Sequence, residues 1–124
     1  MTKNVLLDTS FILMAIRSNI DFIEEIKFLG LTMLVPTQVI DEIKGIVKSK
    51  KKLKFRDEAA LALRIVDIPS LSKVHLKSKN VDNGIVLFAK ENKDVIVATM
   101  DKELKSRIKN QKLIVRAGKK LEIL

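Results

Sequence analysis

The stretch Val95-Ile96-Val97-Ala98-Thr99-Met100-Asp101-Lys102-Glu103-Leu104-Lys105-Ser106-Arg107 decides the reading of the chain. Val95 to Ala98 is a short run of apolar, mostly β-branched residues, the signature of a strand buried on both faces. Thr99-Met100-Asp101 follows at once, and Leu104 and Ile108 then stand one helical turn apart. A buried parallel strand that ends in a polar residue and enters a helix is where open α/β sheets place their ligands. Asp101 is therefore expected at the carboxyl edge of a sheet, beside a helix start. Two roles fit it there: helix N-cap and ligand-binding carboxylate.

The same grammar recurs along the chain. Val5-Leu6-Leu7 reads as a first strand, closed by Asp8-Thr9-Ser10, with a helical segment from Phe11 to Ile16. Asp21 and Glu24 have capping-box spacing with Ile20 as staple, Gly30 is a helix stop, and Leu31 to Val35 reads as a second strand. Pro36-Thr37 opens a helix that carries Val39, Ile40, Ile43 and Val47 inward, with Asp41 and Glu42 in its first turns. A helix with Ala59, Ala60, Leu63 and Val66 on its apolar side ends before Pro69; Ser70 to Ser72 reads as loop and Lys73 to Leu76 as an edge strand. Asn80 to Gly84 carries turn and cap residues and leads into Ile85 to Ala89, apolar all round and read as a buried helix. Leu113 to Val115 reads as a last strand broken at Gly118, and Leu121 to Leu124 has no clear assignment. Strands alternating with helices predict one domain over residues 1–124, a three-layer α/β/α sandwich on a mostly parallel sheet of about four or five strands.

Composition bounds the partners. The 124 residues carry a net charge of +9 with 47% hydrophobic residues, enough for a real core. Such a charge points first to nucleic acid and second to an anionic membrane surface. No apolar run approaches the roughly 20 residues of a membrane helix, no secretory signal is recognisable, and there is no cysteine; a cytoplasmic protein is expected. With five Phe and neither Trp nor Tyr, a platform that stacks bases on exposed aromatics is not expected, and phosphate contacts should dominate. Seven basic residues and no acid lie between Lys44 and Arg56. Lys48, Lys50, Lys51, Lys52 and Lys54 of that run form either a solvated loop or a phosphate grip. Lys102, Lys105 and Lys109 would add a basic stripe on one helix face.

Asp8 and Asp101 follow strands; Glu42 and Asp82 fall near helix starts. Helices leaving parallel strands begin on one edge of the sheet, so the four carboxylates can converge there. Like charges so gathered repel unless neutralised, and oxygen-seeking Mg²⁺ or Mn²⁺ is the natural counter-ion. The competing account is that each is merely a cap or a surface charge among 15 acids. His75 is the sole histidine, so neither a Ser-His-Asp set nor a histidine pair is available; it reads as a structural or surface residue.

Taken with Val35-Pro36, Val39-Ile40-Asp41-Glu42-Ile43 and Val81-Asp82-Asn83-Gly84-Ile85, these motifs resemble the PIN-domain nucleases along nearly the whole chain. The segment Ile96 to Arg107 is most similar to archaeal PIN proteins related to ribosomal-RNA-processing nucleases. The resemblance implies metal-binding acids at Asp8, Glu42, Asp82 and Asp101, and supporting hydroxyls at Ser10 and Thr99. It further implies Mg²⁺- or Mn²⁺-dependent cleavage of single-stranded or structured RNA, in many members by homodimers. Met100 stands where members often have Asn, and Asn83 where many have a second acid, which leaves less redundancy in the metal site. The expected activity is endoribonuclease action in RNA processing or ribosomal RNA maturation. The alternatives are a VapC-like toxin with an antitoxin partner and a non-catalytic RNA- or ribosome-binding module.

Overall fold

A computed structural model describes residues 3–124; Met1 and Thr2, with which the expected domain begins, lie outside the described residues. Six strands form one sheet in the order β3-β2-β1-β4-β5-β6. They are β1 (Asn4–Leu7), β2 (Thr32–Pro36), β3 (Leu71–Val74), β4 (Ile96–Ala98), β5 (Lys112–Arg116) and β6 (Lys120–Ile123). Pairings are parallel from β3 through β5, and only β6 runs antiparallel, on β5. The helices are α1 (Thr9–Arg17), α2 (Phe22–Phe28), α3 (Thr37–Val47), α4 (Leu53–Val66), α5 (Val81–Glu91) and α6 (Lys102–Arg107).

Strand alternation builds two cores. Val5, Leu7, Met33, Val35, Ile96, Ala98, Leu113 and Val115 point to one face, where Phe11, Phe22, Ile26, Val39, Ile43, Ala59 and Val66 of α1 to α4 cover them. Leu6 and Val97 point to the other, against Ile85 and Ala89 of α5 and Leu104 of α6. This is the expected three-layer sandwich, and consecutive buried residues on one strand serve opposite layers because the side-chain period is two. Gly84 is required for the second layer: a Cβ there would stand 2.9 Å from Leu76 Cβ.

The strand order reverses between β1 and β4. From β1 the chain moves outward to β2 and β3; it then returns to place β4 on β1's other side. Such a switch point opens a crevice at the carboxyl ends of the two strands. Asp8 immediately follows β1, and Thr99 to Asp101 follow β4.

Several sequence expectations are corrected. The sheet has six strands because the tail pairs with β5: Ala117 and Gly118, at φ 53° and 64°, make a tight turn closed by Lys119 N–H donating to the Arg116 carbonyl at 3.0 Å. Gly118 thus turns the chain back rather than ending the sheet. The edge strand lies at Leu71–Val74, so most of the presumed loop Ser70 to Ser72 is ladder. On α4 Ala59, Ala62 and Val66 are buried and Leu63 packs against the core as expected, whereas Ala60 is exposed. α5 is not buried all round, since Leu87 is exposed. Among the described residues no helix is long and apolar enough to cross a membrane.

Candidate active site

Asp8, Glu42, Asp82 and Asp101 line one cavity of about 540 Å³, together with Thr9, Ser10 and Lys51. The sequence expectation of convergence holds, and Glu42 lies in the second turn of α3, since the helix starts at Thr37 and carries no acid in its first turn.

Asp8 occupies the N-cap position of α1 but makes no side-chain cap bond. Its carboxylate turns instead into the crevice, where Oδ2 accepts from the Thr99 hydroxyl at 2.7 Å and the Ser10 hydroxyl at 2.8 Å. Asp8 is only 5% exposed and Thr99 fully buried. Thr99 in turn accepts the Asp101 N–H at 3.1 Å, and Ser10 accepts the Met100 N–H at 3.0 Å. Two hydroxyls therefore lock the end of β1 to the turn after β4. Met100 spends its side chain on structure: its sulfur accepts the Val115 N–H at 3.3 Å.

Asp101 does cap its helix, through Oδ1 and the Leu104 N–H at 3.0 Å, and it also lines the cavity. The two roles weighed from sequence coexist, because a carboxylate has two oxygens. Asp82 is spared capping duty; Asn80 caps α5 by accepting the Asn83 N–H at 2.9 Å. Glu42 is steadied by Thr9, whose hydroxyl donates to Oε1 at 2.6 Å. Hence Asp8, Glu42 and Asp101 each engage one oxygen in protein hydrogen bonds and keep the other for the cavity, and no ion pair reaches any of the four among the described residues.

The electrostatics follow. The Glu42 residue is exposed, but its carboxyl end sits in the cavity; desolvation raises its pKa, the Thr9 hydrogen bond opposes, and Asp8 and Asp82 raise it further. Asp82 is raised by desolvation, then by Asp8 and Asp101, with Arg107 opposing and Glu103 adding. These are carboxylates short of positive charge. Among the described residues no three acids are already drawn into a closed metal-binding cluster. The donor set nonetheless fits a hard divalent ion: all-oxygen ligands, spare lone pairs, and room for the water molecules that Mg²⁺ keeps.

The basic candidates divide. Lys51 lines the cavity, on a loop held by its own N–H to Ser49 Oγ and its carbonyl to Arg56 Nε. Lys48, Lys50, Lys52 and Lys54 are exposed on or beside the same loop without lining the cavity. Lys102 and Lys105 lie on α6, but Lys109 lies beyond its end at Arg107, so the expected stripe is cut short. His75 is exposed and its Nδ1 meets the Thr37 hydroxyl at 2.8 Å, a surface contact as expected. Sequence reasoning missed Thr9, whose partner is 33 residues away. It also missed Arg107, whose Nη2 donates to Asn83 Oδ1 at 2.7 Å beside Asp82. Only the adjacency of Thr9 to Asp8 hinted at the first.

A family model described as "PIN like domain" matches residues 5–117. Ribonuclease VapC4 of Methanocaldococcus jannaschii is 31% identical over 122 residues, spanning 94% of this chain and 92% of that protein. The solved structure of the PIN domain endonuclease Utp24 matches with a TM-score of 0.78 at 26% identity, covering 97% of this chain and 90% of that one. VapBC2 from Rickettsia felis, solved bound to a DNA fragment from its promoter, shares the fold at a TM-score of 0.53 and 17% identity, over 88% and 98% of the two chains. With a family match over most of its length and the sheet-edge acids in place, the chain belongs to the PIN-like domain family.

Proposed function

We propose that the chain is a divalent-metal-dependent endoribonuclease, one PIN-like domain over residues 1–124, acting in the cytoplasm on RNA in processing or ribosomal RNA maturation. The observation that carries this reading is the crevice at the strand-order reversal, where four carboxylates share one cavity with free oxygens and, among the described residues, no ion pair. Asp8, Glu42, Asp82 and Asp101 would hold Mg²⁺ or Mn²⁺. A divalent ion bound there supplies an activated water and neutralises charge on the phosphate.

The chain's own residues have distinct tasks in this scheme. Thr99 and Ser10 fix the Asp8 carboxylate from one side, so its open oxygen faces the cavity. Thr9 does the same for Glu42. Lys51 at the rim attracts a phosphate into a pit that is otherwise acidic, and Lys48, Lys50, Lys52, Lys54, Lys102 and Lys105 hold flanking phosphates. With no histidine in the cavity, protons would leave through water.

The test is incubation of total RNA with the protein in Mn²⁺, Mg²⁺ or EDTA, with Asp101→Asn as control. Cleavage with metal and none in EDTA or in the variant is expected. Binding without cleavage under every condition would point to the non-catalytic module. A VapC-like toxin with an antitoxin partner is the second reading, favoured by the 31% identity to ribonuclease VapC4; growth arrest on expression of the chain alone would select it.

A further inference from the structure

A second cavity, of about 520 Å³, lies between α5 and the segment that runs from the end of α6 toward β5. Its floor is apolar, formed by Val86, Ala89 and Ile108, and its rim carries Lys90, Lys93, Arg107 and Lys109. No carboxylate lines it. None of the four cations is in an ion pair among the described residues. Four cations outside any ion pair about one concave surface make a local field that favours an anion.

Two details make this more than a patch of surface lysines. Asn110, 9% exposed, forms the back wall, and its Nδ2 donates to the carbonyls of Ala89 at 3.2 Å and Val95 at 3.0 Å. That ties the end of α5 to the approach of β4, so the groove is held open by the fold. Arg107 reaches back along α6, as helical side chains do, to Asn83. Asn83 is a neutral amide, and the Arg107 charge also lowers the pKa of Asp82. One side chain, Arg107, thus lines the groove and acts on an acid of the other cavity.

We propose that this groove is a nucleotide-binding track for the RNA strand that leaves the acid cavity, its phosphates on the lysines and a base or sugar on the Val86–Ile108 floor. The proposal rests on the ribonuclease reading and adds a site to it. A phosphorylated nucleotide is the chemistry that matches both parts of the surface: an inorganic anion would leave the apolar floor unused, and a planar membrane surface cannot follow a concave groove.

Lys90 and Lys93 are both exposed, so Lys90→Gln/Lys93→Gln should fold. The probe is a fluorescein-labelled single-stranded oligouridine, bound in EDTA across a salt series. Affinity is expected to fall about tenfold at low salt, and the salt slope to fall by roughly 1.4, since each single-strand phosphate contact contributes about 0.7. Hydrolysis of bis(p-nitrophenyl) phosphate with Mn²⁺, which needs the acid cavity but no strand, should stay within twofold. Unchanged affinity and slope, while the wild type binds, would overturn the groove and leave the ribonuclease reading standing. So would loss of the small-substrate hydrolysis in the variant, or loss of binding to phosphatidylserine vesicles with RNA binding intact. A wild type that neither binds nor cleaves RNA would remove both readings.

Discussion

Two glutamates on neighbouring, packed helices meet opposite fates. Glu58 on α4 receives a forked pair of hydrogen bonds from Arg17, Nε at 3.2 Å and Nη2 at 3.0 Å. Arg17 also lies 5.3 Å over the Phe55 ring. That partnership lowers the Glu58 pKa. Glu42 on α3 receives one hydroxyl and no cation, and its pKa is raised. The chain has 24 Lys and Arg against 15 acids, so cations are in excess overall. A carboxylate left without one in such a protein is not short of partners by accident of composition. The contrast separates charge used to hold helices together from charge left without a cationic partner among the described residues.

The sharpest way to break this contrast is to neutralise one acid in each setting. Asp8→Asn is expected to lower RNA cleavage at least a hundredfold, because even groups that merely support a metal ligand are worth roughly 10–100-fold. Glu58→Gln should leave cleavage within twofold. Equal effects, read as initial rates with Mn²⁺, would erase the distinction. Thr99→Val comes next. The valine keeps the shape but strips a hydroxyl from the buried Asp8 carboxylate and from the Asp101 N–H. Cleavage should fall roughly 10–100-fold. Stability should fall by about 1–3 kcal/mol, the cost of buried polar groups left unpaired. A valine variant as active as the wild type would mean Asp8 needs no such support.

Metal should act on one setting only. Binding to the folded state alone stabilises by about 2.7 kcal/mol at a hundred times Kd, so Mn²⁺ should raise the melting temperature in EDTA-stripped buffer. Asp82→Asn should melt above the wild type without metal, since it removes a charge that Asp8 and Asp101 oppose, and should lose most of the Mn²⁺ shift. Glu58→Gln should keep the whole shift. A shift preserved in Asp82→Asn would take that residue out of the metal site.

How far the sequence discloses this contrast depends on range. β1 and β4 are legible because strands covered on both faces must be apolar at every position, and the acids that close them stand out against such runs. β6 is not, since KLEI is half exposed with no alternation to detect, and Gly118 marks a turn or an end equally well. The four acids are legible as a set only through their shared relation to helix starts and strand ends. Their partners are not: Thr9 reaches Glu42 across 33 residues, Ser10 meets Thr99 across 89, and Arg17 finds Glu58 across 41. Nothing local in Glu42 or Glu58 says which will meet an arginine; that is settled when α1, α3 and α4 pack. Lys109 falls outside the expected stripe for a related reason, since α6 stops at Arg107 while the side-chain spacing continues.

The smallest effect is the stability of the Arg17–Glu58 pair, and its pH dependence gives the finest test. The Arg17 side chain is 39% exposed and that of Glu58 13%, so solvent screens the pair and Glu58→Gln should cost no more than about 1 kcal/mol at neutral pH. Its folded-state pKa is lowered, so the folded protein binds fewer protons than the unfolded chain as Glu58 titrates. Its contribution is complete above the unfolded carboxylate pKa and disappears as pH falls through the folded value. Glu42 has the opposite sign. Its folded pKa is raised, so stability declines as pH climbs from the unfolded value through the folded one, and the penalty is complete at neutral pH. Glu42→Gln keeps an acceptor for Thr9 and removes the charge. In EDTA it should melt slightly above the wild type at pH 7, and that advantage should shrink on acidification through the Glu42 titration. The deficit of Glu58→Gln should shrink only on further acidification, below the unfolded carboxylate pKa, from the other side of the wild type. Melting curves of the three proteins between pH 3 and pH 8 should therefore converge toward the acid end. Variants that both fall below the wild type at pH 7 would show that Glu42, like Glu58, is held by a favourable partner, and the contrast between them would be lost.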